Sequence, residues 1–319
     1  MYAPRYSERS RRGRVPGLRA AAKPAAVTAA RLPSSDRFRF LAAFAAVCAL
    51  ASCRPAPAPI SSSSHPPRRV VALAPNLTEI VFALGGGASL VGVSEHSDYP
   101  RQARAIPRVG GMEVSAERVA SLRPDLVLAT RDGNTRGPVS ALASAGLRVL
   151  VLPTGSLDAV LESVRRTGEA LGRGDIAARL VERLSRRRAA VHDRVSRKPR
   201  PKTILLVWPD PPQAAGGRTF LDDVLSEAGA ENLLRDRPGW PVVSTEYLTT
   251  VPVEVLVLPS SSETRPTFER ALAFGALSRG AVKRAQVVWL DEAALTRPGP
   301  RVFDALEELA AVLHPGTSQ

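Results

Sequence analysis

An α/β protein of two Rossmann-like lobes, bridged by a single long α-helix and with a ligand cleft between the lobes, is predicted by three features of the sequence. Short apolar runs alternate with segments of helical period, the longest helical segment lies mid-chain, and the halves on either side of it follow the same grammar. Strand–helix alternation implies parallel sheets covered on both faces. Clefts between two such lobes are preferred ligand sites.

In the first half, Val70–Leu73, Leu90–Val93, Leu126–Ala129 and Val149–Leu152 are the expected strands, bounded by Gly, Pro or Asp. Asn76 and Glu79 read as a capping-box start for a helix that runs through Leu84 and stops at Gly85. Leu157–Leu171 is a further helix. Asp175 to Val195 is the longest, with Ile176, Leu180, Leu184, Val191 and Val195 on its apolar face and Pro199 and Pro201 ending it. Arg186–Arg188 fall mostly off that face and are expected to be a solvated surface. The second half repeats the pattern with strands Ile204–Trp208, Val255–Leu258 and Val287–Leu290 and helices Leu221–Ala228 and Val302–Leu313. The boundaries that follow are an N-terminal lobe at 70–173, a bridging helix at 174–197 and a C-terminal lobe at 198–315.

The net charge of +14 resembles a nucleic-acid signal until it is mapped. Residues 1–52 carry ten Lys/Arg and two Asp/Glu, leaving 34 against 28 for the remainder. That remainder, +6, is spread without interleaved aromatics, which excludes nucleic acid as the expected partner. The basic start leads into an apolar run, Phe40 to Ala51, too short for a bilayer span but suited to a signal-peptide core. It ends Leu50-Ala51-Ser52-Cys53, similar to a bacterial lipobox, in which the cysteine is lipidated and becomes the mature N-terminus. Residues 1–52 are therefore expected to be a lipoprotein signal peptide, and the Pro/Ser-rich stretch 53–69 a tether. The expected location is the cell envelope, periplasm-facing or cell-surface, with the lipid at Cys53 as the only membrane attachment.

The two halves also echo each other locally. Val114-Ser-Ala-Glu117 precedes one strand and Val243-Ser-Thr-Glu246 another, each placing Ser as N-cap and Glu in the first helical turn. Catalytic signatures are missing: no G-x-S-x-G, no H-E-x-x-H, and Gly85-Gly-Gly87 lacks the Lys-Ser/Thr of a P-loop. Four histidines without clustered carboxylates argue against a metal site. No enzyme activity, catalytic residue, resident cofactor or protein-bound metal is expected.

Ala74-Pro-Asn-Leu-Thr-Glu79, Leu90-Val-Gly-Val-Ser-Glu-His-Ser-Asp-Tyr-Pro100, Pro107-Arg-Val-Gly110 and Leu122-Arg-Pro-Asp-Leu-Val-Leu128 resemble the helical-backbone (cluster III) periplasmic binding proteins of ABC importers, most of all their cobalamin-binding members. Asp132-Gly-Asn134, Pro211-Pro212, Gly229-Ala-Glu-Asn232 and Trp240-Pro-Val-Val-Ser244 extend the likeness into the second half. The resemblance implies a monomer that hands a corrinoid (cobalamin, vitamin B12) to a permease dimer with its ATPase subunits. It implies that Glu117 and Glu246 dock onto permease arginines. It also implies that His96, Trp208, Trp240, Asp291 and Arg297 line the ligand cleft. Gly111 and Thr130 stand where cobalamin binders carry tryptophans. A haem or ferric-siderophore carrier of the same fold is the alternative, with His96 as a candidate ligand to haem iron.

Overall fold

The computed structural model describes residues 65–111 and 113–315. The signal segment, Cys53 and the tether up to residue 64 lie outside the described residues.

The first lobe is built on β1 (Val70–Ala72), β2 (Leu90–Val93), β3 (Leu126–Thr130) and β4 (Val149–Leu152). All pair in parallel in the order β2-β1-β3-β4, with Val70 opposite Leu126 and Val127 opposite Val149. Its helices are α1 (Pro75–Ala83), α2 (Ala116–Ser121), α3 (Arg136–Ser144) and α4 (Leu157–Ala170). The second lobe has β5 (Lys202–Pro209), β6 (Pro212–Ala214), β7 (Glu231–Asn232), β8 (Val255–Ser260) and β9 (Gln286–Asp291). Here β7, β8 and β9 run parallel to their neighbours in the order β7-β5-β8-β9, the same order as in the first lobe. Its helices are α6 (Phe220–Glu227), α7 (Thr245–Thr250), α8 (Arg265–Phe274), α9 (Glu292–Thr296) and α10 (Val302–Leu313). Between the lobes runs α5 (Gly174–Val195).

Side-chain alternation along the buried strands sorts the core into layers. Val70, Ala72, Leu126 and Leu128 face one side of the first sheet, and Val71, Leu73, Val127 and Ala129 the other. In the second sheet Leu205, Val207, Val255 and Val257 oppose Ile204, Leu206, Leu256 and Leu258. One layer from each sheet joins Leu180, Leu184, Val191 and Val195 of α5 in a single continuous core. Each such fully buried Val or Leu is worth about 1.5–3 kcal/mol, so the helix is bonded apolarly to both lobes. The α4–α5 approach is close enough to require Gly168: a Cβ there would sit 2.3 Å from that of Ala177.

Several expectations are corrected. Asn76 and Glu79 do not form a capping box: Ala74 is the N-cap, without a side-chain hydrogen bond, and Pro75 presets the first turn. Both residues are instead buried at 4 % exposure and bonded elsewhere. The expected stop at Gly85 holds, with φ at +72°. Of the basic triplet, only Arg186 is the solvated residue expected. Arg187 binds Asp304 (2.6 Å) and Glu307 (2.7 Å), while Arg188 binds Asp158 on α4 and Glu227 (2.5 Å) on α6. Arg188 therefore ties the helix to a carboxylate of each lobe. The sequence reading also lacked β6, β7, α3, α8 and the short α9.

Candidate binding cleft

In open parallel sheets, ligands sit beyond the carboxyl ends of the strands where the strand order reverses. Here those points are the β1/β3 and β5/β8 boundaries. At the first, Asn134 accepts from the backbone N–H of Thr130 (2.8 Å) and donates to the Leu73 carbonyl (3.0 Å), clamping two strand ends together. Thr130 itself is buried, and its hydroxyl donates to Asn134 (3.2 Å) and accepts from Gly133 N–H (3.1 Å). It belongs to the clamp.

The loop after β2 carries His96. Its base is a buried hydroxyl cluster in which Ser97 Oγ lies 2.9 Å from Thr78 Oγ1 and 2.8 Å from Ser94 Oγ. Arg108 donates to the Ser94 and Ser97 carbonyls at 3.0 and 2.7 Å. With both serines turned inward, His96 between them is left exposed.

On the second lobe, Trp208 lies at the end of β5, half-buried, its indole N–H donating to the Asp210 carbonyl (2.8 Å). Gln213 sits opposite Trp208 in the β5–β6 register and donates to the Trp240 carbonyl (3.2 Å). Trp240 meets Phe220 edge-to-face at 6.2 Å and is 40 % exposed. Both tryptophans belong to the second lobe, Gln213 lying between the Trp208 register position and the Trp240 carbonyl, and each ring keeps area open. Asp291 ends β9, caps α9 by accepting from Ala294 N–H (2.7 Å), and keeps its side chain 62 % exposed.

Arg297, expected from the resemblance to line the cleft, is engaged in ion pairs. Its guanidinium is bound to Asp98 (2.5 Å) and Glu79 (3.4 Å) of the opposite lobe and is 19 % exposed. Alongside it Arg301 holds Glu79 in two bonds, 2.9 and 2.6 Å, and stacks 4.0 Å over the Tyr99 ring. Asn76 donates to the Pro298 carbonyl (3.0 Å) between them. Sequence reasoning missed Glu79 and Arg301 as partners. The available signal was a lone carboxylate in an otherwise mostly apolar nine-residue helix, which burial obliges to find a cation. A cavity of about 360 Å³ lies behind these pairs, walled by Phe82, Leu180, Arg183 and Pro300 among others.

The echoed glutamates fall as expected. Ser115 accepts from Arg118 N–H (3.3 Å) and Ser244 from Tyr247 N–H (3.1 Å), and Glu117 and Glu246 occupy the first turns, both exposed. Among the described residues no three His, Cys, Asp or Glu side chains converge as a metal set, and no helix is long and apolar enough to cross a membrane.

This geometry presents open aromatic area, an imidazole and a carboxylate at strand ends and adjoining loops, a set chemically able to stack on a flat surface and pair with polar groups. Comparison with known proteins agrees with a binding scaffold. Residues 70–293 match the family model described as periplasmic binding protein. The chain is 31% identical over 258 residues to an uncharacterized ABC transporter substrate-binding lipoprotein, YvrC, of Bacillus subtilis (strain 168), covering 79% of this chain and 81% of the relative. Among solved structures, the periplasmic vitamin B12 binding protein BtuF of Vibrio cholerae superposes with a TM-score of 0.70 at 26% identity, covering 80% of this chain and 99% of that one. The periplasmic heme-binding protein RhuT from Roseiflexus sp. RS-1 gives a TM-score of 0.70 at 27% identity over 77% of this chain and 98% of that one.

Proposed function

Since the chain belongs to the periplasmic binding protein family, we propose that it captures a corrinoid, cobalamin above all, and delivers it to the permease of an ABC importer while lipid-anchored through Cys53. It serves as a binding and delivery protein and performs no chemistry on its cargo. The observation that carries the ligand class is the indole pair. Trp208 at the end of β5 and Trp240, whose carbonyl is held by Gln213 opposite Trp208, both leave ring area open on the second lobe. A flat macrocycle buries its face there, while Asp291 and His96 remain free to meet its polar side chains.

Haem is the second reading, and His96 favours it. An exposed imidazole at the opposing rim can ligate iron through a neutral ring nitrogen. Neither the relative that binds vitamin B12 nor the one that binds haem outranks the other in structural likeness.

Equilibrium dialysis of the purified protein against cyanocobalamin tests the proposal. Saturable one-to-one retention is expected, weakened roughly tenfold, or about 1.4 kcal/mol, by Trp208→Ala and by Trp240→Ala. No retention at any accessible concentration would remove the corrinoid reading.

A further inference from the structure

We infer that Arg297 and Arg301 are positioning residues that lock the two lobes at one separation and so set the width of the cleft before ligand arrives. The consequence for ligand capture rests on the function proposed above. The lock itself is read from contacts that involve no ligand.

Segment 297–301 of the second lobe is set against two elements of the first. Arg301 grips Glu79 of α1 with its fork and covers Tyr99 in the loop after β2. Arg297 reaches the same two elements, through Glu79 and Asp98. Between the two arginines the chain comes close to α1, where Asn76 binds the Pro298 carbonyl and Gly299 leaves room for only a 3.4 Å contact from an added Cβ to Asn76. Two guanidiniums therefore face two carboxylates across the lobe boundary, a balanced set. Glu79 is 3 % exposed, so its charge has no other compensation. The bidentate pairing of Arg301 with Glu79 makes that geometry directional, which a lysine at 301 would not.

The lock also connects to both rims. Asp98 follows His96 by two residues, and Arg301 lies 3.7 Å from Asp291 of its own lobe. The bridging helix α5 fixes the lobes along their packed helices, where Leu180 and Leu184 share the core. The arginine pair fixes them again at the strand-end loops. Two attachments on different elements remove the rotation that one would leave.

Distance distributions between spin labels test this in the ligand-free protein. The labels go on exposed Ser144→Cys of α3 and Arg270→Cys of α8, in the full chain carrying Cys48→Ser and Cys53→Ser. One narrow distribution is expected for the unaltered lock. The Arg297→Gln/Arg301→Gln double variant is expected to at least double its width or displace its mean, and Arg301→Lys to fall between. Arg186→Gln, which loses only a pair within α5, should leave the distribution unchanged. A double variant that keeps its helical circular dichroism and cooperative unfolding yet shows the original distribution overturns the lock. Should the double variant not fold, Arg301→Gln alone decides, since it removes both short bonds to Glu79 while Arg297 still faces that carboxylate; an unchanged distribution again overturns the lock. Widening without cyanocobalamin binding would sustain the lock and sink the corrinoid reading, so the two fail separately.

Discussion

Asp98 shows how one residue's titration reports on the contact between lobes. Partial burial pushes its carboxyl upward, but the hydrogen bond and charge of Arg297 outweigh this and hold it below its ordinary 3.8. A depressed acid contributes stability that is complete above its unfolded value, near 3.9, and is lost as pH falls through the lower folded value. The difference in urea-unfolding stability between the wild type and Asp98→Asn should therefore stay constant from neutral pH to about pH 5 and shrink below about pH 4. A difference independent of pH down to pH 2 would mean the pair adds nothing. At this scale legibility was uneven. His96, Trp208, Trp240 and Asp291 were nominated by resemblance; Trp208 and Asp291 lie at the ends of β5 and β9, His96 in the loop after β2 and Trp240 in the loop after β7. Arg297, nominated in the same way, is ion-paired to Glu79 and Asp98, partners that the resemblance did not supply. Residue type and local spacing do not reveal a partner more than 200 positions away, such as Glu79 for Arg301.

Among the elements, α5 carries the most consequence because it belongs to both lobes' core. Leu184 is 2 % exposed within that core. Leu184→Ala should cost about 2–5 kcal/mol in a single cooperative transition, measured by urea unfolding. A loss under 1 kcal/mol, or the appearance of two separate transitions, would show that the lobes do not share one core. The helix was readable in the sequence because five apolar residues recur at helical spacing before a pair of prolines, and α10 was readable to both its ends from its own apolar recurrence before Pro315. β6 was not: Pro211-Pro212 reads as a turn, and its pairing with β5 depends on a partner strand that local pattern does not announce. α3 and α8 were missed because each starts at a proline-containing stretch, Gly137-Pro138 and Pro266, that propensity alone marks as loop, although proline is favoured in a first turn.

For the molecule as a whole, two lobes with the same strand order present two similar capped helices, each with an exposed glutamate in its first turn. Paired carboxylates on a two-lobed protein suit a two-fold basic partner, since separated charges fix orientation and speed encounter. Glu117→Arg with Glu246→Arg should abolish uptake in a reconstituted transport assay while ligand affinity stays within about twofold; unchanged uptake would refute docking through these residues. The central claim concerns the ligand, and calorimetric titration of the purified protein with cyanocobalamin, with hemin titrated in parallel, tests it most directly. The account predicts a one-to-one cyanocobalamin isotherm that disappears in Trp208→Ala/Trp240→Ala. No heat with cyanocobalamin, together with a hemin Soret shift that His96→Ala abolishes, would contradict it and assign the cleft to haem.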